Sequence, residues 1–135
     1  LKKLDSILEK RKNNADSHLN FFKKYEDWLE LPEMGEKVNS YWFAFPMIVK
    51  EKAPFTRTDL QIFLEKRNIQ TRVIFTGNAI RQPAFKNINK KIDVDGYPVA
   101  DRVMSRGILI ACHHGLDKKM IDHIYNSFEK FTKNF

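Results

Sequence analysis

The chain has one cysteine among its 135 residues, so it cannot close a disulfide of its own, and a reducing, cytoplasmic setting is the expectation. Nothing in it approaches the run of about 18 apolar residues that a membrane-crossing helix needs. No membrane partner is expected. Glycine is scarce at five residues, and no Gly-rich phosphate loop, Gly-x-Ser-x-Gly elbow or Cys-His-Asp arrangement occurs, which leaves hydrolase and phosphotransferase chemistry without support. The lysines sit in polar surroundings, and none has the apolar neighbours that would lower its pKa for Schiff-base work. No catalytic residue is therefore expected in this stretch, and by itself it should be inert. Cys112, His113 and His114 are consecutive and seldom could converge on one ion; with no second Cys or His pair at ligand spacing, no metal is expected.

What is present is a composition that can fold. Hydrophobic residues make up 42% and aromatics 13%, with eleven Phe, and a chain of this length buries about two thirds of its unfolded surface. Basic side chains outnumber acidic ones 24 to 17, a net charge of +7, which favours anionic partners through long-range attraction. Those cations are spread through every segment rather than gathered on one face with exposed aromatics between them, so nucleic acid is not an expected partner. The chain opens on Leu1 already in helical register with no capping residue ahead of it, and it reads as a fragment.

Leu1, Leu4, Leu8, Ala15, Leu19 and Phe22 recur at helical spacing and predict a long amphipathic helix over about residues 1–27, with an α/β body over about 40–135. Arg11 and His18 interrupt its stripe, which predicts burial that is either partial or shared with a neighbouring domain; His18 reads as an exposed helix residue rather than a ligand. Residues 28–40 read as a connecting loop. Tyr41 to Val49 reads as a central strand with a distortion at Pro46, because proline donates nothing to a ladder. Thr56 with Asp59 three residues on is a capping-box variant opening a helix to about Arg67. A strand from Ile69 to Phe75 follows, then some twenty residues without period, anchored by Phe85, Ile88 and Ile92. Lys86, Lys90 and Lys91 there are either a solvated face or an attraction for a nucleotide diphosphate. Pro98 suits the first position of a short helix with Val99 and Val103 inward, ending at Gly107. The run Ile108 to Cys112 reads as a strand covered on both faces, and the last helix opens at Asp117 with Met120, Ile121, Ile124, Phe128 and Phe131 on one stripe. About three strands packed with about four helices make an α/β fold.

The stretch Thr71–Phe85 carries most of the functional information. In the expected strand, Ile69, Thr71, Val73 and Phe75 share one face and Arg72 projects from the other. Gly77 and Asn78 reach positive φ at least cost, so the chain can turn there, and Arg81 follows the turn. Two guanidiniums flanking a tight turn suit phosphate or carboxylate oxygens. Equally open is that Arg72 and Arg81 pair with carboxylates of this chain and the turn is only a turn.

Thr71-Arg72 through Phe75, Gly77-Asn78 and Arg81-Gln82-Pro83-Ala84-Phe85 resemble the C-terminal part of nucleotide-sugar dehydrases in the DegT/DnrJ/EryC1/StrS aminotransferase family. The member type most resembled is the CDP-4-keto-6-deoxyglucose 3-dehydrase. Trp42-Phe43-Ala44-Phe45-Pro46, Ala53-Pro54-Phe55-Thr56-Arg57, Asp101-Arg102-Val103-Met104 and Gly115-Leu116 match in the same order. The resemblance implies the small C-terminal domain of a fold-type I pyridoxal phosphate enzyme that uses pyridoxamine or pyridoxal 5-phosphate, bound mainly by an upstream domain. A histidine base in dehydrases, or a Schiff-base lysine in sister aminotransferases, would lie upstream of Leu1, as would the cysteines of the [2Fe-2S] cluster that some relatives carry. It further implies a nucleotide-diphosphate sugar as substrate, a reductase as partner and a homodimer at full length. Arg72, Asn78, Arg81 and, more weakly, Arg102 are the candidate substrate-binding residues. A nucleotide-sugar aminotransferase and a non-catalytic basic binding module remain the alternatives.

Overall fold

The structure, a computed structural model, describes residues 2–33, 35 and 38–135. Its long opening helix, α1 (Leu4–Phe22), is followed by a single 3-10 turn to Tyr25, so the helix stops short of residue 27. Four strands follow, interleaved with three further helices: β1 (Leu29–Glu30), β2 (Ala44–Val49), α2 (Arg57–Glu65), β3 (Thr71–Arg72), α3 (Pro98–Arg106), β4 (Gly107–Ala111) and α4 (Lys118–Thr132). The strands form one sheet in the order β1-β2-β4-β3, with every pair antiparallel.

The fourth strand lies where a loop was expected. Leu29 and Glu30 pair with Val49 and Ile48 and make a two-residue edge. Too short to show alternation, it is defined only by its neighbour. The expected distortion at Pro46 does not occur: β2 pairs residue for residue with β4 from Ala44↔Ala111 to Ile48↔Gly107. Cys112 N–H donates to the Phe43 carbonyl, which fixes the parity of the ladder. Phe43, Phe45 and Met47 bond toward β4, whereas Pro46 turns its missing donor toward the other side, beyond the end of β1.

Alternation divides the sheet into two unlike faces. Leu29, Phe45, Met47, Val49, Thr71, Ile108 and Ile110 are buried on one, under α1, α2 and α4. Phe22 of α1 stacks on Phe45 at 6.1 Å and meets Phe128 of α4 edge-on at 5.0 Å, and Phe131 of α4 meets Phe55 at 4.8 Å and Phe63 at 5.1 Å. Such ring pairs contribute about 0.5–1.5 kcal/mol each beyond their burial.

His18, expected at the surface, is wholly buried here. One ring nitrogen lies 3.0 Å from the Tyr125 hydroxyl and the other 2.9 Å from the Ala111 carbonyl. Burial pushes its pKa below the ordinary histidine value, against the pull of the Ala111 carbonyl. A polar ring survives in this core because both nitrogens are satisfied.

Local signals act as their chemistry requires. Thr56 and Asp59 close a reciprocal capping box at the start of α2, and Asp117 accepts the Met120 N–H at 2.8 Å to open α4. Met120 itself is exposed, as is Val99 of α3; only Ile121, Ile124, Phe128 and Phe131 of the expected α4 stripe turn inward.

Candidate functional site

The other sheet face carries Glu30, Pro46, Ile48, Leu109 and Arg72, and its apolar members are only half-buried. Beside it runs a groove lined by Leu31, Pro46, Ile48 and Ile74. A second groove, lined by Ile74, Phe75, Tyr97 and Val103 together with Asp93 and Asp95, lies between the segment after β3 and α3. Ile74 borders both. On this half-covered side half-buried apolar strand residues border open grooves, and Arg72 projects from the same face.

The expected strand to Phe75 shrinks to Thr71 and Arg72. Glu65 explains where it begins, since its carboxylate accepts both the Thr71 N–H at 2.6 Å and the Thr71 hydroxyl at 2.8 Å, and these bonds hold Glu65 below the usual carboxylate pKa. Beyond Arg72 the chain leaves β4. Val73 is 47% exposed and Phe75 93% exposed, so neither shares the buried face with Ile69 and Thr71.

Gly77 has φ +69°, and a Cβ built there would lie 2.4 Å from Met104 Cγ. Only glycine satisfies both the left-handed turn and the close approach of α3. Asn78, with a negative φ, instead caps the 3-10 turn Ala79–Arg81 through its side-chain oxygen, which accepts from Ile80 N–H at 3.2 Å. Its Nδ2 donates to Asp101 at 2.8 Å, and it is buried. Gln82 closes the loop behind, donating to the Thr76 carbonyl at 2.9 Å.

The four nominated residues thus separate into kinds. Arg81 reaches Asp101 side-on, with Nε to Oδ1 at 3.1 Å and Nη2 to Oδ2 at 2.9 Å. Hydrogen bonding raises the Arg81 pKa and, with Asn78 adding to it, lowers that of Asp101. Arg102 pairs with Glu30 and so ties α3 to the β1 edge. Arg72, at the opposite edge on the same face, has no carboxylate within ion-pair distance among the described residues; its hydrogen bond there is to its neighbour's carbonyl, Thr71 O, at 3.4 Å. The structure therefore brings Asn78 and Arg81 together on one acid, leaves Arg72 apart from them, and places none of the four along either groove wall. Asp101, which joins two of them, was missed; Asp101-Arg102 was visible only as part of a shared motif.

Elsewhere, His113 Nδ1 accepts from Gly115 N–H at 3.1 Å, and Cys112 is buried with its thiol toward the Arg11 carbonyl at 3.8 Å. Burial pushes that thiol up to about 11, which makes it an inert, small apolar residue at neutral pH. Among the described residues no three His, Cys, Asp or Glu gather as a metal site, and no helix is long and apolar enough to cross a membrane.

Residues 1–129 match the model of the DegT/DnrJ/EryC1/StrS aminotransferase family. The chain is 34% identical over 131 residues to the lipopolysaccharide biosynthesis protein RfbH of Salmonella typhimurium, covering 97% of itself and 30% of that protein. To GDP-4-keto-6-deoxy-D-mannose 3-dehydratase of Yersinia pseudotuberculosis it is 31% identical, covering 96% of itself and 32% of the relative. Among solved structures, E. coli GDP-4-keto-6-deoxy-D-mannose-3-dehydratase with bound hydrated PLP superposes with a TM-score of 0.78 at 26% identity, over 93% of this chain and 32% of the other. The chain spans about a third of the length of these proteins, and its fold is the corresponding part of a fold-type I pyridoxal phosphate enzyme. By the match of nearly its whole length, this chain belongs to the DegT/DnrJ/EryC1/StrS aminotransferase family.

Proposed function

We propose that the chain is the small C-terminal domain of a pyridoxamine 5-phosphate-dependent dehydrase that removes the C3 hydroxyl of a nucleotide-linked 4-keto-6-deoxyhexose. The observation that carries this reading is the identity, above 30%, to a protein named as a 3-dehydratase of such a sugar, maintained over nearly the whole chain. The cofactor's place is in the rest of the parent enzyme. Every lysine among the described residues is exposed or half-exposed, and Lys50 and Lys90 spend their ammonium groups on backbone carbonyls, so no buried amine waits here to condense with an aldehyde. When bound upstream, the cofactor supplies the amine and the electron sink.

This chain's part in that reading is to hold the substrate. Arg72 presents a guanidinium with no carboxylate in ion-pair contact among the described residues. Asp101 takes Nε and Nη2 of Arg81 and, among the described residues, leaves Nη1 without a hydrogen-bond partner, and Asn78 and Arg102 fix the loop and α3 around it. Guanidinium forks on this half-covered face suit the diphosphate of a nucleotide sugar, with the grooves, whose walls mix apolar residues with Glu30, Glu33, Asp93 and Asp95, taking its sugar and base.

The test is product analysis. The full-length enzyme, loaded with pyridoxamine phosphate and given a nucleotide-linked 4-keto-6-deoxyhexose, should yield a 3-deoxy sugar nucleotide by mass spectrometry. A product carrying an amino group in place of the ketone would show the sister aminotransferase activity instead, and an untouched substrate would remove the reading altogether.

A further inference from the structure

We propose that Asp101 is a positioning residue for substrate binding: it fixes the Arg81 guanidinium and the Asn78 turn so that the remaining Arg81 nitrogen faces the nucleotide-sugar phosphate. The inference rests on the reading above and sharpens it by naming the group that orients the anion-binding arginine. The Asp101 carboxylate receives three donors, Asn78 Nδ2 at 2.8 Å, Arg81 Nε at 3.1 Å and Arg81 Nη2 at 2.9 Å. Its own backbone is fixed in the first turns of α3, where Asp101 N–H donates to Tyr97 O at 3.2 Å and Ser105 Oγ donates to Asp101 O at 2.9 Å. Three residues along the same helix face, Met104 seats against Gly77 of the turn, with no room for a Cβ between them. Helix and turn are thus joined at two points on one side of α3, and Arg81 is attached to the joint.

An exposed ion pair by itself contributes little to stability. What Asp101 changes is conformational: an arginine with four rotatable side-chain bonds, 55% exposed, would otherwise sample many rotamers and lose that freedom on meeting an anion. Held side-on through Nε and Nη2, the fork can move little, and Nη1 remains as the donor. Preorganisation of that kind lowers the entropic cost of binding.

Two roles for the acid predict opposite results. If Asp101 only neutralises Arg81, removing its charge leaves a more positive rim and tighter anion binding. If it positions Arg81, removing its charge weakens binding even though the rim becomes more positive. The experiment uses the full-length enzyme with its cofactor and measures kcat and KM for the nucleotide sugar in wild type, Asp101→Asn, Asp101→Ala, Arg81→Ala and the double variant Arg81→Ala/Asp101→Ala. Asp101→Asn keeps the shape and is the variant to rely on should the alanine fail to fold.

KM is expected to rise several-fold in Asp101→Asn and about tenfold in Asp101→Ala, the scale of one charge-assisted hydrogen bond, with kcat and the cofactor absorbance unchanged. The double variant should be no worse than Arg81→Ala alone, because Asp101 acts through that arginine. An Asp101→Asn enzyme with unchanged or lower KM, or penalties that add in the double variant, overturns the inference. A wild-type enzyme that never saturates with any nucleotide-linked 4-keto sugar would remove the function reading itself, a result separate from any difference among the variants.

Discussion

The two sides of the sheet are held by different physics. Under α1, α2 and α4, sixteen apolar residues among those described are buried and the contacts are ring on ring, from Phe22 and Phe45 to Phe128 and Phe131. Across the sheet, from Val73 to Val99, Asn78 is the only buried residue, and the segment is held by polar bonds: Asn78 and Arg81 to Asp101, Gln82 to Thr76. Apolar burial tolerates no substitution of volume, whereas a polar knot at the surface can be altered with little loss of fold. The first side makes the domain stand and the second is where variation can serve ligand recognition.

The comparison is tested most severely at Phe128, which is 1% exposed and packed against Phe22, Tyr25 and Phe21. Phe128→Ala should cost about 3–5 kcal/mol by urea unfolding. A loss below 1 kcal/mol would mean that the packed side is not what holds the fold.

A pH titration of stability comes next. His18 binds its proton less readily in the folded protein than unfolded, so the unfolded state carries more protons once pH falls below the ordinary histidine range of about 6.5. Stability should therefore be level above that range with respect to this group, and fall as pH drops below it toward the depressed folded value. Unfolding midpoints at pH 7.5 and 5.5 measure this. His18→Gln should flatten the difference, and an unchanged slope in that variant would place the acid sensitivity elsewhere.

On the polar side, Arg81→Ala in the full-length enzyme should lower kcat/KM for the nucleotide sugar by about tenfold or more, with no change in the unfolding midpoint. Thr56→Ala, which removes the α2 capping box, should cost about 1 kcal/mol without touching KM. Smallest of all, Phe75→Ala should shift stability by about 0.5 kcal/mol or less, since that ring is 93% exposed; a larger loss would show that the second side also stores packing energy.

How far the residues announced this division varies by element. Where a local signal suffices, the reading held. Thr56 with Asp59, Asp117 with Met120, and Pro98 opening the helix that ends at Gly107 each act within one turn of chain. The α/β class and the family followed from alternation and motif order. What failed depended on distant partners. His18 interrupts an apolar stripe when only α1 is considered, and it becomes a core residue because Tyr125 and Ala111, 107 and 93 residues away, meet its ring. β1 exists only through Val49 and Ile48. Val73 and Phe75 continue the alternation of Ile69 and Thr71, yet the ladder ends at Arg72 because β4 pairs no further. Whether Arg72 and Arg81 pair with carboxylates was left open by the residues alone; the fold brings Asp101 to Arg81 and, among the described residues, no carboxylate within ion-pair distance of Arg72, while Arg102 meets Glu30.

That last residue gives the most direct test of the claim that this face handles an anionic substrate while the opposite face holds the domain together. Arg72→Ala in the full-length enzyme, measured for both KM and thermal midpoint, should raise KM for the nucleotide sugar about tenfold at an unchanged midpoint. An unchanged KM, or a midpoint that falls with it, would contradict the account.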